Sequence, residues 1–171
     1  MKKYEFTGET KEIRLLFRTA TLHRIRATVA FGIVEVGDLG GWIEKEENLS
    51  HEGKAWVWGN AEVWGNAKVW GNAKVCGDAK VWGNAKVFSA SHVLVIGAIG
   101  SRNDFTTFYR DKDNEITVKC GCFLGKIDRF LEKVTQTHGD SKYALVYRAA
   151  VEVAKLQIDL SGEAPKDADE E

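Results

Sequence analysis

Six consecutive copies of a six-residue unit occupy residues 53–88 and constrain the fold more than any other feature of the chain. The units read GKAWVW, GNAEVW, GNAKVW, GNAKVC, GDAKVW and GNAKVF. A period this short, with no residue inserted or lost, is typical of a solenoid in which each unit contacts its neighbours. The repeat predicts the middle of the fold, and it carries no catalytic signature that would predict a function.

Within each unit, Ala and Val alternate with a charged residue and an aromatic one. In a short strand this pattern points Ala67 and Val69 inward and Lys68 and Trp70 outward. The Gly-Asn corner then tolerates turn and left-handed backbone angles, so the chain can bend before the next strand. A string of β-hairpins fits less well, because Gly-Asn recurs after too few residues for antiparallel arms.

A small residue two places before an aliphatic one, with Asn or Asp at the corner, resembles the hexapeptide repeat of left-handed parallel β-helices. The resemblance implies three units per triangular coil. The inward aliphatic slot is predicted to hold Val57, Val63, Val69, Val75, Val81 and Val87, and then Val93 and Ile99 in degenerate units. Because so short a solenoid leaves unpaired strands and an open core, both ends should be capped by the flanking sequence.

The predicted fold class is mainly β: a short left-handed parallel β-helix over 49–100, capped by an N-terminal β segment over 1–48 and by a C-terminal module over 101–160. In that module, strands at Phe105–Arg110 and Ile116–Cys120 form a hairpin. A first helix, which contains Ile127, ends near Gly139, and a second runs from Ser141 to Ile158 with Asp140 as its N-cap. The acidic tail over 161–171 is predicted to be disordered.

The chain has 171 residues and a formal net charge of −1, which argues against an electrostatic grip on long nucleic acid. The chain has three cysteines, and it shows neither a charged-then-apolar leader nor an apolar run near eighteen residues. These features predict a reduced, cytoplasmic protein without a membrane partner. The stretch GDLGGWIEKEENLS before the repeats resembles uncharacterised hexapeptide-repeat proteins of phages and prophages. The segment from Gly100 to Ile158, with its GSRND, CGCF and THGD sequences, resembles a module of phage hypothetical proteins. These resemblances imply a viral or prophage origin, and hence the cytoplasm of a bacterial host, but no chemistry.

An enzyme is the weaker interpretation. Hexapeptide acyltransferases need a histidine base, and none of His23, His51, His92 and His138 lies in the regular coils, so a divergent acyltransferase is kept as the second alternative. The related carbonic anhydrases hold zinc through three histidines, which this chain does not place near its coils. Cys120 and Cys122 could bind a soft metal with His138 or Cys76, but no fourth ligand has a sensible spacing, and packing of small thiols is preferred. We predict no metal and no cofactor.

Residues eighteen apart should share a face, which places aromatic side chains in columns on the outside of the coils. The predicted columns are Trp64 with Trp82, Trp70 with Phe88, Trp58 with Cys76 and then Leu94, Glu62 with Lys80, Lys68 with Lys86, and Trp56 with Lys74. Rows of indoles on a solvent face are costly unless something covers them. The cover could be the chain's own hairpin and helices, a neighbouring subunit, or a ligand.

An aromatic platform beside lysines suits a nucleobase with attached phosphates, since base stacking is worth ~1–3 kcal/mol and phosphate accepts charge-assisted hydrogen bonds. The predicted ligand-binding residues are Ser101, Arg102, Asn103, Arg110, Lys119, Trp64, Trp70 and Trp82. Arg102 would grip phosphate with its guanidinium fork, or would pair with a carboxylate to hold the cap. The predicted function is a non-enzymatic homo-oligomer, with a trimer favoured, that sequesters a small anionic nucleotide-like molecule such as an immune signal of the host. The alternative is a structural or interaction module with the β-helix as a trimeric spine.

Overall fold

The structure is a computed structural model that describes residues 1–15 and 17–162. It is mainly β, with two helices at the C-terminal end of the described chain. The tail predicted to be disordered, 161–171, lies outside the described residues from 163 onward.

The N-terminal segment forms three strands, β1 (Tyr4–Arg14), β2 (Thr19–Ala27) and β3 (Leu39–Ile43). Each pairs with the next in antiparallel fashion. The strands predicted from the β-branched and aromatic content of this segment are therefore confirmed. Tyr4, Ile25 and Ala27 pack their side chains into the core that the repeat forms, so these strands cap its first units.

The repeat forms six strands of two residues each. They are β4 (Trp56–Val57), β5 (Glu62–Val63), β6 (Lys68–Val69), β7 (Lys74–Val75), β8 (Lys80–Val81) and β9 (Lys86–Val87). Each of the first three pairs in parallel with the strand three units later: β4 with β7, β5 with β8 and β6 with β9. Strand β3 adds to the second of these pairs, giving the order β1-β2-β3-β5-β8. The register of eighteen residues predicted from the period is confirmed, for example between Val63 and Val81.

The alternation within the units separates a dry interior from a charged exterior. All six Val side chains of the slot from Val57 to Val87 are buried, whereas Lys74 and Lys80 are exposed, as predicted. The corners favour glycine because the backbone is left-handed there, and at Gly71 the corner is also crowded. At Gly71, φ is +65° and an added Cβ would lie 2.9 Å from the carbonyl oxygen of Phe88.

After the repeat the chain forms an antiparallel sheet in chain order and then two helices. Its elements are β10 (Val93–Ile99), β11 (Asp104–Arg110), β12 (Ile116–Cys120), β13 (Phe123–Lys126), α1 (Ile127–His138) and α2 (Lys142–Gln157). The two predicted strands and two predicted helices are confirmed, but the predicted hairpin is the middle of a four-stranded sheet. Ser141, not Asp140, is the N-cap residue of α2.

The prediction that Val93 and Ile99 continue the aliphatic slot is wrong. Both lie in β10, which pairs antiparallel with β11. One face of this sheet, with Val93, Val95 and Tyr109, packs on the core of the repeat, and the other face packs on the helices. A strand buried on both faces lacks polar alternation, so its apolar run fits the slot as well as it fits a strand.

The sheet closes the last units of the repeat through direct hydrogen bonds. The backbone N–H of Lys80 donates to Thr107 Oγ1 at 3.1 Å, and the Tyr109 hydroxyl donates to the carbonyl oxygen of Trp82 at 3.0 Å. The repeat is thus covered at both ends by strands of the same chain. Among the described residues, no helix has the length and apolar character needed to cross a membrane.

Candidate ligand-binding cleft

The aromatic columns exist, but they are largely covered within one chain. The Trp64 and Trp82 rings stack with centroids 5.6 Å apart, and Trp70 and Phe88 lie 5.1 Å apart. Trp64 is only 2% exposed and Trp70 only 7%, while Trp82 is half-buried. The interpretation of Trp64 and Trp70 as an open platform is therefore corrected. This removes the argument from which a trimer was predicted, and the number of subunits stays a prediction.

The Gly100-to-Asn103 segment is an exposed turn between β10 and β11. The backbone N–H of Asn103 donates to the carbonyl oxygen of Gly100 at 3.2 Å, and Ser101, Arg102 and Asn103 are all exposed. Arg102 Nη1 is 3.1 Å from where a Cβ of Gly121 would lie, and Lys119 Nζ donates to the carbonyl oxygen of Gly121. The structure thus brings Arg102 and Lys119 together at the turn between β12 and β13. Burial, followed by the charge of Lys80, lowers the pKa of Lys119.

Arg110 has a different place from the one predicted. It is 1% exposed, and its guanidinium lies over the Phe88 ring with Cζ 5.0 Å from the centroid. Its Nε and Nη2 donate to Asn114 Oδ1 at 3.0 and 2.6 Å, and Nη1 and Nη2 donate to the carbonyl oxygens of Ser161 and Gly162 at 2.9 and 2.7 Å. A guanidinium engaged in this way joins parts of the protein and is not available to a ligand, so its assignment to the ligand site is corrected.

A cleft of about 270 Å³ lies instead between the N-terminal cap and the repeat. One wall is the turn 31–34, and the other is formed by Trp56, Trp58 and Lys74, with Lys54 and Asn72 at the corners of the repeat. We call it the Trp58 cleft. Its volume is just below the ~300 Å³ at which drug-sized pockets begin, so it suits a small ligand or part of a larger one.

Aromatic rings give the Trp58 cleft its apolar surface. Phe31 lies edge-on to Trp56 with centroids 5.4 Å apart, and Trp56 lies edge-on to Trp58 at 6.5 Å. Trp56 is buried, whereas Phe31 and Trp58 are partly exposed. Trp56 Nε1 is buried and has no hydrogen-bond partner within the described chain. The same is true of Nε1 of Trp64, Trp70 and Trp82, so this unpaired donor is a property of the repeat and does not by itself indicate a ligand.

The charge of the Trp58 cleft is positive and unbalanced. Lys54 and Lys74 are exposed, and neither takes part in a salt bridge among the described residues. The lining contains no Asp or Glu. Two unpaired ammonium groups beside aromatic rings thus give the cleft a local positive charge in a chain whose net charge is −1.

The cap positions its wall of the cleft through a buried lysine. Phe31 and Val34 exchange backbone hydrogen bonds of 3.0 and 2.9 Å, which closes the turn. Lys3 Nζ lies 4.9 Å from the Phe31 centroid and donates to the carbonyl oxygens of Glu52 and Ala55 at 3.2 and 2.9 Å. The ammonium of Lys3 therefore ties the turn to the first unit of the repeat. Burial lowers the pKa of Lys3 to about 8.

The histidines lie elsewhere. His23 stacks on Phe6 at 4.7 Å, and His51 stacks on Tyr4 at 4.2 Å. His92 is buried 3.4 Å from Arg110 Nη1, and burial together with that positive charge lowers its pKa. His138 lies 5.7 Å from the Tyr147 ring. None of the four lines the Trp58 cleft.

Three acidic residues, Asp111, Asp113 and Glu115, lie close enough together to share a cation. Lys126 Nζ makes ion pairs with all three. An ammonium group of the chain itself therefore already lies among these carboxylates, and we do not assign the cluster to a metal.

Sequence reasoning missed the Trp58 cleft because half of it comes from outside the repeat. Trp58 and Lys74 belong to slots that we expected to be outward, but Phe31 and Ile33 are far from them in sequence. The signal that could have been detected in the sequence was the apolar stretch around Gly32, because a tight apolar turn suggests a surface feature. In the structure, Ile33 of this stretch is 71% exposed. A comparison of the chain with protein-family models and with curated protein sequences finds no match.

Proposed function

We propose that this protein is a non-enzymatic binding protein whose Trp58 cleft takes a small anionic, nucleotide-like molecule. The observation that carries the proposal is the pairing of exposed aromatic surface with two lysines that have no carboxylate partner in the described chain. An aromatic base would stack on Trp58 or Phe31, and its phosphate would accept hydrogen bonds from Lys54 and Lys74.

The scaffold of this site is, in our proposal, a short left-handed parallel β-helix. Parallel pairing between strands eighteen residues apart supports it, since three units of six residues return the chain to the same side. So does the burial of the Ala and Val of all six units in one core. On this scaffold, the parallel strand pairing fixes the corners and strands that carry Lys54, Asn72 and Lys74. Such fixed positions suit a preformed site.

Binding, and not turnover, is the function that the lining supports best. The cleft contains no His, Cys, Asp or Glu that would act as a general base near neutral pH. A protein that binds a nucleotide without converting it sequesters the molecule. Together with the resemblance to phage proteins, this leads us to propose that the chain removes a nucleotide signal of the host's immune system from solution.

Titration calorimetry tests the proposal with four probes: the nucleoside monophosphates AMP and UMP, adenosine, and inorganic phosphate. We expect a monophosphate to bind more tightly than adenosine or phosphate alone, because it uses both the rings and the lysines. Lys74→Gln should weaken its binding by ~10-fold, or ~1.4 kcal/mol, and leave adenosine binding unchanged. The matched control is Lys80→Gln, since Lys80 occupies the same slot of the next unit but lies outside the cleft.

Three results would contradict this assignment. The first is the absence of binding of all four probes up to millimolar concentration, which would favour the structural module, an alternative supported by the coverage of the repeat at both ends. The second is equal weakening by Lys74→Gln and Lys80→Gln. The third is weakening by Arg102→Lys but not by Lys74→Gln, which would move the site to the turn that holds Arg102 and Lys119.

A further inference from the structure

Helix α2 exposes an apolar stripe on the side turned away from the protein core. Its buried side carries Ala144, Tyr147, Val151 and Ala154. The opposite side carries Leu145, Val146, Ala149, Val153 and Leu156, all of them exposed. Leu156 is 90% exposed and Leu145 59%, which are high values for leucines on a regular helix. A contiguous exposed patch of this kind marks an interaction surface.

The spacing of the stripe indicates what kind of partner it fits. Val146, Ala149, Val153 and Leu156 follow one another along α2 at steps of three, four and three residues. This alternation is the heptad spacing with which one helix packs along another. The small side chain of Ala149 in the middle of the stripe allows a close approach of two helices.

We propose that the stripe binds the α2 stripe of a second copy of this chain in antiparallel orientation. Charge selects the orientation. Lys142 is the first residue of α2, four residues before Val146, and Asp159 lies just beyond its other end, after the C-cap residue Ile158. Parallel pairing would set lysine against lysine and aspartate against aspartate, whereas antiparallel pairing sets each Lys142 beside the Asp159 of the second copy.

Asp159 Oδ1 accepts hydrogen bonds from the backbone N–H and the hydroxyl of Ser161 at 2.8 and 2.6 Å, and Lys142 Nζ lies 5.3 Å from the Tyr143 ring, but neither side chain is paired with an opposite charge within the described chain. Lys142 and Asp159 are exposed and form no salt bridge with any other described residue. We centre the two antiparallel helices midway between Ala149 and Val153. Ala149 of one copy then lies against Val153 of the other, and Val146 lies against Leu156. The inference is independent of the Trp58 cleft, whose lining contains no residue of α2.

The mass of the full chain in solution, measured by light scattering from 1 to 100 µM, tests the proposal. A dimer is expected for the parent protein. Leu156→Glu should weaken the dimer by at least ~100-fold, since it places two charges in the apolar contact, while the melting temperature stays within a few degrees because Leu156 is exposed in the monomer. The matched control is Val36→Glu, at a valine 65% exposed in the N-terminal cap, which should leave the dimer intact.

A charge exchange tests the orientation. Lys142→Asp and Asp159→Lys should each weaken the dimer, and the double variant should restore it. A monomeric parent protein would overturn the proposal, as would a dimer or trimer that Leu156→Glu leaves unchanged. Failure of the double variant to restore a dimer that both single variants weaken would overturn the antiparallel arrangement.

Discussion

At the scale of single residues, two buried charged side chains, those of Lys3 and Arg110, connect segments that are distant in the sequence. Lys3 joins the cap to the repeat through the carbonyl oxygens of Glu52 and Ala55. Arg110 joins the end of the repeat to the segment that follows α2. Both are tied mainly to neutral acceptors, which satisfies their hydrogen bonds but leaves a desolvated charge.

The desolvated ammonium of Lys3 makes stability depend on pH. Its pKa is about 8 in the folded chain, against 10.5 as the ordinary value. Between pH 8 and 10 the unfolded chain holds a proton that the folded chain has lost, so the free energy of unfolding rises with pH. The rise is at most ~1.4 kcal/mol per pH unit. Above pH 10 it should reverse, because burial raises the pKa of Tyr4 and of Tyr109.

Urea unfolding at pH 7, 8, 9 and 10 measures this dependence. Lys3→Met should reduce the rise to the part that the lowered pKa of Lys119 contributes, and it should also lower stability at pH 9, because two buried carbonyl oxygens lose their donor. Lys112→Met, at an exposed lysine, should keep the rise. If Lys3→Met and the parent protein changed in parallel with pH, the burial of this ammonium could not be the cause.

At the scale of elements, the repeat depends on a dry interior in which every unit contributes one Val. Val75 is fully buried, and its neighbour Lys74 is exposed on the other side of the same two-residue strand. Val75→Asp places an unpaired carboxylate in this interior and should lower the free energy of unfolding by at least ~3 kcal/mol.

Lys74→Asp is the matched control, since it places the same carboxylate one residue away on the solvent side, and it should change stability by less than ~0.5 kcal/mol. Thermal unfolding followed by tryptophan fluorescence compares the two variants. Equal melting temperatures would contradict the assignment of an inward and an outward side, and a lower melting temperature for Lys74→Asp would mean that the two sides have been exchanged.

The elements also show which parts of the fold could be predicted from the sequence alone. The period determined the register of Val63 with Val81 because each unit repeats the same local geometry. It could not place Val93, because a strand covered on both faces has the same apolar pattern as the slot. It could not reveal that Trp64 is covered and Trp58 accessible, since both occupy the same position of their units. Nor could it reveal that the turn 31–34 forms a cleft with Trp58, since no local pattern encodes the contact of this turn with the repeat.

At the scale of the whole molecule, one sheet separates two cores and should couple them. Tyr109 of β11 packs on the core of the repeat, while its neighbour Phe108 packs on the core of the helices. Loss of either core would expose one face of the sheet. We therefore expect the repeat and the helices to unfold in a single transition.

Tyr109→Ala should shift both signals together, the helical circular dichroism of α1 and α2 and the tryptophan fluorescence of the repeat. The loss of a buried ring of this size costs ~3–5 kcal/mol and leaves the carbonyl oxygen of Trp82 without its donor. Phe105→Ala, at a residue 40% exposed on the same strand, should cost far less. Two separate transitions in the variant would show that the cores are independent.

The register of eighteen residues limits how such a chain can grow or shrink in evolution. Strand β3 of the first cap and Thr107 of the second both attach to the column formed by β5 and β8. Gain or loss of three units returns both caps to the same column, whereas gain or loss of one or two units moves one cap to a different side. Viable length variants should therefore differ by whole turns, and the repeat acts as a spacer whose length changes in fixed steps.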